Sequence, residues 1–203
     1  MRTMDLDTQE NRERLKEAFP KIEDPSGVFH ITSPETSGYN CIAWAMGFDD
    51  RWVDYILNSN KKWWPKGVPL DWHPETLITA FEAVGFEKCD DGKPEDGFDK
   101  VVLYKVRPFL DPLTGHMINE YGWSHAAKII EEGIYHSKIG PSFDIYHRGG
   151  DVFEGTDYGE IYQYMRRPDD KKEIVEHIKV EEPRYNMPDN ILSIVMNILS
   201  GGI

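Results

Sequence analysis

Cysteine is scarce in this sequence of 203 residues, which has only Cys41 and Cys89. Two are too few for a disulfide framework, and neither stands in the short paired spacing of a structural zinc site. We therefore expect a reducing compartment, no metal and no cofactor. Basic charge is also short: 23 lysines and arginines face 36 aspartates and glutamates, a formal net charge of −13. A surface of that sign repels phosphate backbones, which argues against nucleic acid as a partner. No apolar run approaches the roughly 20 residues that span a bilayer, and the opening "MRTMDLDTQENRERLKEAF" has no signal-peptide core. The expectation is a cytoplasmic protein with no membrane partner. Internal repeats and low-complexity stretches are lacking too, and the length suits one domain with a real core.

What is present falls into two halves. Residues 8 to 19, "TQENRERLKEAF", set Leu15, Ala18 and Phe19 on one side of a short helix. A loop-rich stretch with "VFHI" as a possible strand leads to "SGYNCIAWAMG", whose run from Cys41 to Met46 is apolar nearly all round and predicts a short buried helix ending at Gly47. "PETLITAFEAVG" predicts another helix, with Pro74 at its start and Gly85 as its stop. Thereafter "KVVLYKV", "SHAAKII", "GIYHSKI", "FDIYH" and "GEIYQYMR" are short and rich in β-branched and aromatic residues, divided by turn residues. Helices first and antiparallel strands after define an α+β class. The domain is expected over residues 1–168, with an irregular aromatic-rich insertion at 50–74. Residues 169–203 form a charged linker and a C-terminal amphipathic helix, which either docks on the domain or offers residues 189–199 to a protein partner.

Cys41 is the first residue of its predicted helix, where unpaired N–H groups stabilise an anion and lower a thiol pKa. The same amides, helped by Tyr39 or Asn40, would hold an oxyanion. A nucleophilic cysteine needs a base supplied by the fold. His125, opening the apolar strand "SHAAKII", is the histidine placed for it, whereas His30, His73, His116 and His177 read as surface or structural. An orienting group behind the base is sought among His136, Ser137 and Asp144; neighbours 136 and 137 point to opposite faces of a strand, so register decides. Trp44, Trp63, Trp64, Trp123 and Lys138 are expected around a substrate groove. Cys89, placed at a helix end near acids, is expected to be unreactive.

A cysteine on a helix start, a histidine heading a strand and a polar residue on the next strand resemble the papain-like cysteine peptidase superfamily, especially its NlpC-type branch. That branch has a strand of the form "HVGIYxGxGxxIHA", and "HAAKIIEEGIYHSK" here is similar. The sequence also resembles an uncharacterised bacterial family with "NCxAWAxG" followed by "HAA…SKxG…DIxH". The resemblance implies a papain-like fold with the cysteine-bearing helix packed on the sheet. It also implies Cys41 as nucleophile, His125 as base and His136 or Ser137 as third group. The function expected is that of a cysteine hydrolase acting on an amide or isopeptide bond of a peptide or protein. The alternatives are a catalytically inactive binding or inhibitory relative, and a deamidase or transglutaminase-like enzyme.

Overall fold

A computed structural model describes residues 6–22, 29–59, 61–107, 109–110, 117–118, 121–154 and 158–170. The first helix, α1 (Gln9–Ala18), is capped by the Thr8 hydroxyl, which accepts from the Asn11 amide. A first strand, β1 (Phe29–Ser33), precedes α2 (Cys41–Met46). Gly47 ends α2 in the left-handed conformation at φ 94°, which glycine adopts without a Cβ penalty. The third helix, α3 (Pro74–Glu82), starts on proline, whose missing N–H costs nothing at a helix entrance.

Between α2 and α3, β2 (Trp52–Val53) and β3 (Lys62–Trp63) pair in parallel. The remaining strands are β4 (Glu87–Cys89), β5 (Phe98–Val106), β6 (Phe109–Leu110), β7 (Met117–Ile118), β8 (Gly122–Glu131), β9 (Ile134–Lys138), β10 (Asp144–Arg148) and β11 (Glu160–Pro168). A 3-10 turn, Gly150–Phe153, lies between the last two. Seven strands make one antiparallel sheet in the order β1, β10, β9, β8, β5, β11, β4. With few short helices against it, the protein is α+β.

Strand alternation sends successive side chains to opposite faces, and each face has its own core. One face packs Leu15 and Phe19, from α1 and its C-cap, with Phe29, Tyr104, Ile145 and Phe153. The other packs α2, α3 and the tryptophan-rich segment, through Ile42, Met46, Trp64, Phe81, Leu103 and Met165. Burying each such aliphatic or aromatic side chain is worth ~1.5–3 kcal/mol, so the sheet is clamped from both sides. Arg167 is only 2% exposed within the second layer. It is held by Asp99 at 3.0 Å and the Val84 carbonyl at 3.2 Å, with its guanidinium 4.3 Å over the Phe86 ring.

Two expectations change. The segment at 50–74 is part of the core: it carries the β2–β3 pair, and Trp63 and Trp64 are buried. Cys89 lies on the edge strand β4, not at a helix end. The helix stops at Glu82, Gly85 turns the chain at φ 90°, and Glu87–Cys89 then runs extended against β11. The helix expected at 189–199 and the linker from 171 lie outside the described residues. Among the described residues no helix is long and apolar enough to cross a membrane.

Candidate functional site

Strand β8 spans ten residues and β9 only five. They pair at Glu131 with Ile134, Ile129 with Tyr135 and Lys128 with His136, and then part, leaving Ala126 and Lys138 unpaired with one another. Against this opening α2 places Cys41, 7% exposed, and the Ala126 backbone hydrogen-bonds the sulfur. Burial pushes the thiol up to about 11. The backbone groups of Ala126, Ile42 and Cys41 itself, together with the charge on Lys138, pull the other way without overcoming it.

Lys138 and Asp144 face each other across β9 and β10, with Nζ 3.8 Å from Oδ1. Lys138 is fully buried. Its ammonium donates to the Ser142 carbonyl and lies 5.1 Å from the centre of the Tyr39 ring. Burial lowers its pKa, while Asp144, Cys41 and Glu35 work to raise it. The Tyr39 hydroxyl donates to Asp144 Oδ2 at 2.5 Å, and burial first, then this bond, pushes Tyr39 up to about 12. Asp144 Oδ1 accepts no hydrogen bond. Thiol, ammonium, carboxylate and phenol thus gather at one end of α2.

His136 shares this face. Its Nε2 lies 3.0 Å from the Thr32 hydroxyl, and its ring meets Trp44 edge-on at 4.9 Å. Burial takes it down to about 4; Asp144 opposes that fall and Lys128 adds to it. The Lys128 ammonium lies 3.9 Å over the half-buried Trp44 ring.

His125 and Ser137 project from the other face. His147 Nδ1 is 3.0 Å from the Gly149 carbonyl, which can only accept, so Nδ1 carries the hydrogen and Nε2 is an acceptor. Ser137 therefore donates to His147 Nε2 at 2.8 Å and accepts from His125 Nε2 at 3.2 Å. The last nitrogen of the series, His125 Nδ1, is buried with no partner. Burial first, then the neighbouring His147, holds His125 well below its usual value. Burial also brings His147 down to about 4 against the pull of the Gly149 bond. The His125 ring stacks on Tyr158 at 4.2 Å and packs against Phe153 and Tyr104.

The expected Cys41–His125 dyad is therefore corrected. Odd-numbered His125 and Ala127 turn toward the α1 layer, whereas Ala126 and Lys128 turn toward α2. Among the third-group candidates, His136 and Asp144 share the face of Cys41, and Ser137 belongs with His125. Asn40 is not a free oxyanion donor: its amide caps Ala43 at 3.1 Å and ties both backbone groups of Val53 at 3.2 and 2.7 Å. Nor do Trp63, Trp64 and Trp123 line a groove, since all three are core residues, with Trp64 stacked on Trp123 at 6.0 Å. Sequence reasoning missed His147, Lys128 and Tyr158. The alternation in "IYHSK" and "DIYH" was the available signal for pairing Ser137 with His147. Among the described residues no three histidine, cysteine or acidic side chains group as a metal site.

Fold and site together define an α+β protein with a seven-stranded antiparallel sheet and a thiol set where two of its strands part. Residues 30–166 match the family described as a domain of unknown function (DUF7689), and the chain belongs to that family. No curated protein and no solved structure matches it.

Proposed function

We propose that this protein is a thiol-dependent hydrolase of amide-type bonds, with Cys41 as nucleophile and Lys138, paired with Asp144, as the group that moves the proton. The observation that carries this reading is the packing of α2, with Cys41 at its start, against β8 and β9, where the thiol and the Lys138 charge act on one another. A thiol pushed up to about 11 is protonated at neutral pH, so it needs a base within reach. A buried lysine whose pKa is lowered serves as that base once neutral. The helix bearing the cysteine, laid against an antiparallel sheet, supports placing the chain near the papain-like enzymes. The base, however, comes from a different strand and side of the sheet than in the resemblance. A peptide or protein is the proposed substrate.

The test is turnover of a panel of peptide amides by the wild type, Cys41→Ala and Lys138→Met, each checked for native circular dichroism. Both variants should lose turnover, and activity should climb with pH on the alkaline side of neutrality. Undiminished turnover in Cys41→Ala would sink the reading. The 7% exposure of Cys41 favours one second reading, a non-enzymatic binding or inhibitory relative in which the thiol only packs. A stoichiometric partner held equally well by Cys41→Ser, with no thiol-dependent turnover, would support it.

A further inference from the structure

We propose that the group taken up beside Cys41 is a primary carboxamide, the end of a glutamine or asparagine side chain, and that the enzyme is a deamidase. This rests on Cys41 being the nucleophile.

Around the Tyr39 ring, two solvent-excluded polar atoms make no hydrogen bond: Asp144 Oδ1, which has only the Lys138 ammonium facing it at 3.8 Å, and Trp44 Nε1. The first only accepts and the second only donates. Asp144 is 3% exposed, and its other oxygen is taken by Tyr39. The Tyr39 ring links the two, since its hydroxyl holds Asp144 and its centre lies 5.6 Å from the Trp44 ring. A buried polar group left without a hydrogen bond is destabilising, so a ligand presenting one donor and one acceptor relieves both. A primary amide does so, with its NH2 on Asp144 and its carbonyl oxygen on Trp44.

Charge narrows the choice. Lys138 and Asp144 offset one another at 3.8 Å, so an uncharged polar group enters without penalty. A carboxylate would be repelled by Asp144, and an ammonium by Lys138. Depth narrows it further: Cys41 is only 7% exposed, with its sulfur against the Ala126 backbone, within reach of a slender side-chain terminus more readily than of an extended main chain.

The reaction balances without a co-reactant other than water. Once the amide is in place, Lys138 gives up its own proton to solvent; the thiol proton then passes to the neutral amine, the sulfur bonds the amide carbon, and the C–N bond breaks. Ammonia leaves with that proton and a thioester remains. Water then cleaves the thioester, giving the carboxylic acid and restoring the thiol.

The full chain is treated in alkaline buffer with 2-iodoacetamide and with 2-iodo-N,N-dimethylacetamide, the same electrophile with and without amide N–H. Labelling at Cys41 and Cys89 is read by peptide mass spectrometry. Cys41 should favour the primary amide over the dimethylated one by about tenfold more than Cys89 does, the equivalent of one well-placed interaction. Asp144→Ala, which removes the acceptor, should erase that preference. An equal preference at the two cysteines overturns the carboxamide proposal. Glutamine- and asparagine-containing peptides are then incubated with the wild type and followed for ammonia release and conversion to the acid. Main-chain cleavage without ammonia overturns the carboxamide and leaves the thiol hydrolase standing, whereas turnover that survives Cys41→Ala overturns the hydrolase reading itself.

Discussion

Acidification from pH 7 to 5 should destabilise the folded protein through histidines that its two cores hold neutral. His136 and His147 each fall to about 4, with burial the largest cause. The unfolded chain takes up protons near the ordinary histidine value of about 6.5, while the folded chain refuses them until about 4. Their stabilising contribution is thus intact above about 6.5, and is lost as pH falls through that interval. Each group loses ~2 kcal/mol by pH 5 and ~3 kcal/mol once the pH is below 4. Together they remove ~4 kcal/mol at pH 5, a large part of a typical stability of about 5–15 kcal/mol. His125, held well below its usual value, adds to the loss in the same direction. Asp71 and Glu75, lowered chiefly by bonds from Thr76 and Tyr162, lose their contributions only as pH falls below the normal carboxylate range of about 4, outside this window. Urea unfolding followed by tryptophan fluorescence at each pH reads the effect. With a slope of about 2 kcal/mol per molar, the midpoint should drop by roughly 2 M. His136→Gln should recover about half of that drop. A midpoint unchanged between pH 7 and 5 would refute the assignment of buried neutral histidines.

A Cβ on Gly122 would fall 1.9 Å from the Trp72 indole, whose Nε1 donates to the Trp123 carbonyl at 2.7 Å. Gly122→Ala should therefore cost ~1–3 kcal/mol in thermal or urea unfolding, and less in a Trp72→Ala background. Asn40→Ala removes the α2 cap and both ties to Val53, for a loss of ~2 kcal/mol. Asn40→Asp, which keeps the acceptor, should lose less in the same measurement. Arg167→Met preserves a stem over Phe86 but leaves the Val84 carbonyl without its donor, so ~2 kcal/mol should disappear from the unfolding free energy. Alkylation of Cys41 by a neutral reagent should accelerate with pH toward about 11, because burial keeps the thiol protonated below that. A rate already level at pH 8 would contradict this.

Local signals carried most of the elements. Asn40 and Gly47 bracket α2, Pro74 and Gly85 bracket the α3 segment, and the five strand segments all lie in the large sheet. What escaped were features set by partners distant in sequence. Lys138 meets Asp144 only because β9 pairs with β10 in one particular register. Ser137 stood with His136 and Asp144 as a candidate partner of His125, and strand register, with the packing of α2, decides which of them it meets and on which side of the sheet. The tryptophans of 50–74 looked like a groove because polar residues and prolines interrupt them. Tertiary contacts decide otherwise, with Trp64 donating to the Pro69 carbonyl and stacking on Trp123.

The alternation along β9 makes the chemistry of the two layers a matter of parity. Tyr135, Ser137 and Ile139 belong to one layer, and His136 and Lys138 to the other. Removing one residue before His136 would exchange the two sets: an ammonium would enter the layer of neutral histidines, and Ile139 would take the place of the counter-ion of Asp144. Insertions or deletions in this strand keep the two layers apart only in steps of two, so its length, as much as any single side chain, decides which chemistry each layer holds.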